Sequence, residues 1–95
     1  MISNGVKEIR ILIYGDVHGV GFRYHTQEMA QPLGLSGYVK NLPDGSLEIV
    51  AQGKKENLEK LITWAGTGPR FAKVERIETE WRNPSEPLKT FEIKY

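Results

Sequence analysis

The sequence predicts an α+β sandwich, with two helices on one face of a mainly antiparallel sheet. Three observations predict it. Short runs that alternate apolar and polar residues read as strands, and two stretches repeat apolar residues at helical spacing. Segments rich in glycine, proline and asparagine separate these runs where one periodicity gives way to the other.

Residues 1–6 read as a loose tail on a single domain spanning 1–95. From Lys7 to Tyr14, Ile9, Ile11 and Ile13 face one way, as in a half-buried strand that stops at Gly15. Residues 15–21 hold three glycines in seven positions and must form a loop. Phe22, Met29 and Leu33, with Thr26 and Ala30, recur at helical spacing. Pro32 removes a donor in the last turn of that helix, and Gly34 suits its C-terminal cap. Leu35–Asn41 is a second strand and Leu47, Ile49 and Ala51 mark a third; turn chemistry over residues 41–45 makes the two a hairpin. Gly53 is expected to open a second helix with the stripe Leu58, Leu61, Ile62 and Ala65, closed by Gly66. Ile77, Thr79 and Trp81 alternate in a fourth strand. Val74 is out of phase with them, which predicts a bulge or loop before Arg76. After a turn-rich link over 83–87, Phe91, Ile93 and Tyr95 form a short last strand. The order β-α-β-β-α-β plus a short C-terminal strand is the ferredoxin-like arrangement. That fold hosts many unrelated functions, so function must be argued from a site.

Composition narrows the classes. A chain of 95 residues supports one modest core, so any site is a shallow pocket built on loops. With 13 Lys plus Arg against 12 Asp plus Glu, the general basic excess of a nucleic-acid binder is missing. Zero cysteines exclude a disulfide framework, a thiolate nucleophile and a Cys-ligated metal, and fit a reducing compartment. The N-terminus carries no apolar run of the signal-peptide kind, and no stretch approaches the roughly 20 apolar residues of a membrane span. A cytoplasmic location is expected.

The chemistry collects at one edge. A strand–helix–strand crossover leaves the first and second strands parallel, so both C-terminal ends lie at the same side of the sheet. The glycine loop leaves the first strand there, and Asn41 ends the second. Glycines let successive amides converge on an anion, and the following helix adds its own unpaired N–H groups. Arg23 falls in the first turn of that helix, and its planar fork of donors matches two phosphate oxygens. A cation is unfavourable at that end of a helix unless an anion offsets it. Each feature also has a plainer use: three glycines serve a tight strand-to-helix turn, Arg23 a solvated helix face, Asn41 a turn. Their convergence favours the anion site. The loop is neither a Walker loop nor a dinucleotide fingerprint. His25 reads as helix surface; for His18, inside the loop, a ligand contact and a structural role are both open. No metal-ligand spacing and no nucleophile–histidine set can be assembled.

Two long segments carry a resemblance. Gly15-Asp16-Val17-His18-Gly19-Val20-Gly21-Phe22-Arg23 resembles the first signature of the acylphosphatase family. The run Gly37-Tyr38-Val39-Lys40-Asn41-Leu42-Pro43-Asp44-Gly45-Ser46-Leu47-Glu48, with Gly53 beyond it, resembles the second. Gly68-Pro69, then Ala72-Lys73-Val74 and Ile77, are similar to the family's connector, and the likeness extends from about Lys7 to Tyr95.

The resemblance implies a ferredoxin-like fold and hydrolysis of acyl phosphates to a carboxylate and inorganic phosphate, by a small free-standing enzyme. Arg23 is then the phosphate-binding arginine and Asn41 the residue that orients the attacking water. The backbone of Val17, His18, Gly19, Val20, Gly21 and Phe22 forms the phosphate loop. It implies no metal and no cofactor. The partners are then a small-molecule acyl phosphate and inorganic phosphate as product, with no nucleic acid, no membrane and a monomeric chain. Two positions depart from the family. It usually has glutamine where this chain has His18, and Pro32 is unusual in its first helix, where it predicts a shortened or bent last turn away from the site. Two other readings stand beside this one. One is a non-catalytic phosphate-binding or regulatory module. The other is an RNA-binding ferredoxin-like domain using Arg10, Leu12, Tyr14, Glu48 and Val50 on the open sheet face.

Overall fold

A computed structural model describes residues 5–84 and 86–95. The elements are β1 (Val6–Asp16), α1 (Phe22–Ala30), β2 (Ser36–Asn41), β3 (Leu47–Lys54), α2 (Lys55–Ala65), β4 (Lys73–Arg82) and β5 (Phe91–Lys94). The five strands form one sheet in the order β4-β1-β3-β2-β5. Strand β3 is antiparallel to both β1 and β2, β4 is antiparallel to β1, and β5 runs parallel to β2.

The expected alternation builds the core. Ile9, Ile11, Ile13, Val39, Leu47, Ile49 and Ala51 are fully buried, and Phe22, Ala30, Leu58, Leu61 and Ala65 bring the helix faces onto them. Phe22 meets Trp64 edge to face at 5.4 Å, joining the helices. Pro32 ends α1 as anticipated. The chain closes past it with Leu35 N–H donating to the Ala30 carbonyl and Gly34 N–H to the Gln31 carbonyl, Gly34 taking a φ of 69°. This is a Schellman closure with glycine at its left-handed position.

Five expectations are corrected. Strand β1 does not stop at Gly15 but continues to Asp16, because Gly15 and Asp16 pair with Val74 and Lys73. Gly53 does not open α2. It lies in β3 opposite Lys7, where a Cβ would meet Leu35 Cδ2 at 2.4 Å, so the glycine makes room for Leu35 rather than for a turn. Of the expected tail, residues 1–4 lie outside the described residues, while Val6 already pairs with Lys54. Glu48 and Val50 are not on display, being 6% and 3% exposed. Arg10 Nε donates to Glu48 at 2.6 Å and Lys40 lies 3.8 Å from the same carboxylate; farther along β3, Gln52 donates to the Glu86 carbonyl and accepts from Leu88 N–H. Ser85, within the expected 83–87 link, lies outside the described residues. Tyr95, expected in the last strand, falls just past β5.

The bulge expected before Arg76 is present. Tyr14 pairs with Arg76 and Gly15 with Val74, leaving Glu75 as the extra residue where β1 turns into the glycine loop. The β2–β3 hairpin is closed by Leu42 N–H donating to the Ser46 carbonyl and Gly45 N–H to the Leu42 carbonyl. Asp44 Oδ1 accepts from both Ser46 Oγ at 2.5 Å and Ser46 N–H at 2.9 Å. The hydroxyl bond chiefly, then the amide bond, hold the Asp44 carboxyl below its ordinary value of 3.8.

Two predictions follow from this backbone. Gly15 has a φ of 131°, and a Cβ there would sit 2.1 Å from the Lys73 carbonyl oxygen. Gly15→Ala therefore lowers the unfolding free energy by about 2–5 kcal/mol in urea titration. Gly66→Ala, at an ordinary helical φ of −65°, changes it by less than about 1 kcal/mol and in the stabilising direction. For Asp44 the folded-state value is depressed, so its contribution is fully present above pH 3.8 and is lost as the pH falls through the folded-state value. The stability gap between wild type and Asp44→Ala accordingly closes in strong acid, measured by denaturant midpoints along a pH series.

Candidate active site

The site is built where three strand ends meet. Leu47 pairs with Ile13 on one side and Asn41 on the other, which sets the exit of β1 beside the end of β2. Because β5 runs parallel to β2, with Lys40 opposite Lys94, the chain's last residues reach the same rim. A cleft of about 150 Å³ opens there, lined by Val17, Gly19, Gly21, Phe22, Arg23, Tyr24, Asn41, Ile93 and Tyr95. Its size suits a small anion with a modest substituent, well below a drug-sized pocket. Larger depressions lie elsewhere, one of about 350 Å³ beside Lys7, Lys55 and Trp81 and two over Met29 and Trp64. Neither kind joins a glycine loop to an arginine and a carboxamide.

The loop is shaped by handedness. Gly19 and Gly21 have φ of 72° and 76°, and no non-glycine among the described residues has positive φ. Glycines of positive φ alternating with residues of negative φ can turn successive amides towards one concavity. Among the described residues, no turn or cap hydrogen bond uses the amides of residues 17–22 as donors. Gly21 is also the N-cap of α1 and supplies no side-chain cap, so the helix's first N–H groups are left for another acceptor. Val17 is buried at 1% exposure and Val20 packs against the core, so the loop is anchored from beneath while its glycines line the cleft.

Arg23 and Asn41, far apart in the chain, both line this cleft. Arg23 is half-buried and already oriented. Its Nη1 donates to the Lys94 carbonyl at 3.2 Å, and its guanidinium carbon stands 4.7 Å from the centre of the Tyr95 ring. The other N–H groups of the fork are left for an anion. Of the expected loop residues, Val17, Gly19, Gly21 and Phe22 line the cleft, and His18 and Val20 do not. The His18 ring turns to the hairpin, with Nε2 2.7 Å from the Ser46 carbonyl. His25 lies on the helix surface, as expected, with Nδ1 3.0 Å from Glu28. Among the described residues, no three His, Cys, Asp or Glu side chains gather as a metal site.

Sequence reasoning missed Tyr24, Ile93, Lys94 and Tyr95. Tyr24 enters from α1 beside Arg23; for the others, the alternation of Phe91, Ile93 and Tyr95 marked a strand, but nothing local fixes a strand's partner or direction, and it is the parallel pairing with β2 that delivers Ile93, Lys94 and Tyr95 here.

Comparison with known proteins places the chain in a family. The family model Acylphosphatase matches residues 9–93. An acylphosphatase of Yersinia pseudotuberculosis is 51% identical over 84 residues, covering 87% of this chain and 90% of that protein. The crystal structure of acylphosphatase from Bacillus subtilis superposes with a TM-score of 0.90 at 37% identity, over 94% of this chain and 99% of the other. An acylphosphatase from Coxiella burnetii gives 0.91 at 31% identity, over 99% and 100%. A match along almost the whole described sheet, with the glycine loop, Arg23 and Asn41 gathered at one rim, means that this chain belongs to the acylphosphatase family.

Proposed function

We propose that this cleft hydrolyses acyl phosphates to a carboxylate and inorganic phosphate, with Arg23 and the backbone amides of residues 17–22 holding the phosphate and Asn41 orienting the water. Membership of a family of acid-anhydride hydrolases supports the reaction. The single observation that supports these roles is that a guanidinium, a carboxamide and a left-handed glycine loop from separate elements line one small cleft.

The leaving group explains why so few side chains suffice. A carboxylate, with a conjugate acid near pKa ~4, departs without protonation, so no general acid is needed. What remains is positioning and charge stabilisation, which dominate phosphoryl transfer. The amides and the Arg23 fork bind the non-bridging oxygens. The Asn41 carboxamide oxygen accepts a hydrogen bond from water and holds it in line with the departing oxygen. The water oxygen bonds to phosphorus as the bond to the acyl oxygen breaks. The electron pair leaves on the carboxylate, and the water proton passes to a phosphoryl oxygen, since a carboxamide is no base. Positioning of this kind lowers a barrier by about 7–11 kcal/mol, and one preorganised donor is worth about 2.7–4 kcal/mol.

The same reading takes 1–95 as one acylphosphatase-like domain, monomeric and cytoplasmic, with no nucleic-acid partner. The open face supports the last point. Its Tyr14 and Tyr38 are occupied by cations of this chain, Arg76 at 3.9 Å from one ring and Lys94 at 4.1 Å from the other, rather than laid bare for stacking bases.

Hydrolysis of acetyl or benzoyl phosphate tests the roles. Asn41→Ala loses about 10²–10³ in kcat while inorganic phosphate still inhibits as in the wild type. Arg23→Ala loses both turnover and phosphate affinity, and Arg23→Lys does not restore the forked contact. A wild-type rate in Asn41→Ala removes the water-holding role. Tyr95→Ala, which frees the guanidinium from its ring, raises the inhibition constant of inorganic phosphate about 2- to 5-fold.

A further inference from the structure

The glycine loop has little to hold it in place. Gly19 and Gly21 carry large backbone freedom that must be lost whenever the loop adopts its anion-binding shape. Val17 and Val20 anchor it from below through non-directional apolar contact. Sideways, among the described residues, one side-chain hydrogen bond joins residues 17–21 to another element, and it comes from His18.

Its partner is well fixed. The Ser46 carbonyl accepts from His18 Nε2 at 2.7 Å and from Leu42 N–H at 2.9 Å, so one oxygen both closes the hairpin and receives the loop. Ser46 is 2% exposed, and its amide and hydroxyl are both tied to Asp44. Leu42 follows Asn41 directly, and Asn41 pairs with Leu47, the residue after Ser46. The imidazole therefore spans from the middle of the loop to the turn that sets the end of β2. A carbonyl only accepts, so Nε2 carries the proton and a neutral ring is sufficient. The ring does not line the cleft, so this role is separate from contact with a bound molecule.

We propose that His18 is a positioning residue, its imidazole fixing the phosphate loop against the hairpin that carries Asn41; the proposal rests on reading the cleft as the acyl phosphate site. With the tie in place, the loop amides and the carboxamide keep one spacing, and the ordering of the loop is largely complete before phosphate arrives. Without it, phosphate binding must order the loop, and the water is held out of line with the phosphorus it attacks.

The test compares wild type with His18→Leu, His18→Asn and His18→Gln in acetyl phosphate hydrolysis, with inorganic phosphate affinity measured separately by calorimetry. The leucine has no donor and the asparagine is too short to span to Ser46, so both lower kcat/KM and phosphate affinity by about 3- to 10-fold. His18→Gln keeps a donor at similar reach and stays within about twofold of wild type. In an Asn41→Ala background, His18→Leu still weakens phosphate binding but changes kcat by less than about twofold, since the water is no longer held. A purely structural role would lower thermal stability without rescue by glutamine and without this dependence on Asn41. Wild-type phosphate affinity and kcat/KM in His18→Leu, or a His18→Gln variant as impaired as His18→Leu, overturns the proposal. Should His18→Leu fail to fold, the asparagine and glutamine variants, one methylene apart, decide it alone. A wild-type protein that hydrolyses no acyl phosphate would instead overturn the reading of the cleft, and the phosphate affinities would still judge His18.

Discussion

The site depends on the pairing of one residue, Leu47, with Ile13 and Asn41 at once. Strand β3 is antiparallel to both neighbours, so β1 and β2 run the same way and end at the same rim. The glycine loop and the carboxamide meet there for no other reason. A slip of one residue along β3 would send Glu48 and Gln52 into the helix-covered layer and turn Ile49 out of it. Burial of each large aliphatic side chain is worth about 1.5–3 kcal/mol, and an unpaired carboxylate in that layer would cost more. Against a total stability of about 5–15 kcal/mol, no such slip survives. The apolar pattern that builds the core therefore also fixes the geometry of the cleft.

What the sequence made legible was mostly what is decided locally. Pro32 and Gly34 end the first helix for steric reasons that need no partner. The phase break at Val74 announced a bulge because a strand with one extra residue must change face. The signature segments marked Arg23 and Asn41, and the crossover rule put them at one edge. The rest was set at long range. Gly53 looked like the start of a helix, whereas its lack of a side chain serves Leu35 across the sheet. Glu48 and Val50 read as outward-facing by alternation, but both are buried, Glu48 with its carboxylate held by Arg10 and Lys40. The direction of β5 was invisible, and with it went Lys94 and Tyr95 beside the arginine. His18 likewise showed its residue type but not its partner, which lies across the β2–β3 turn.

Arg23 shows how the scaffold handles an awkward charge. It stands in the first turn of α1, at the positive end of the helix, where a cation is disfavoured by some tenths of a kcal/mol. The Lys94 carbonyl and the Tyr95 ring each present negative potential to it, the first along a hydrogen bond and the second through the ring face. They partly offset the dipole and hold the fork beside the loop. An oxyanion in the cleft would complete the compensation, since it meets the guanidinium, the loop amides and the helix end together. The arginine is thus least favourable where an anion gains most from it.

The same economy bears on why a fold with one modest core can host such chemistry. Reactions that need an acid, a base and a nucleophile require several side chains held to about 0.5 Å, each supported by further residues. Hydrolysis at phosphorus with a carboxylate leaving group asks for converging donors and one oriented water. Most of those donors can be main-chain amides, which occupy no side-chain position and need only the correct run of φ angles. Glycine supplies those angles at the cost of freedom, and that freedom must be removed by something outside the loop. Here the buried Val17 and the core-packed Val20 do so from below, and the bond from His18 to Ser46 from the side. A shallow cleft on a small sheet is sufficient because the parts that touch an anion are backbone, while the parts that keep the backbone in place belong to the core and the hairpin the fold already requires.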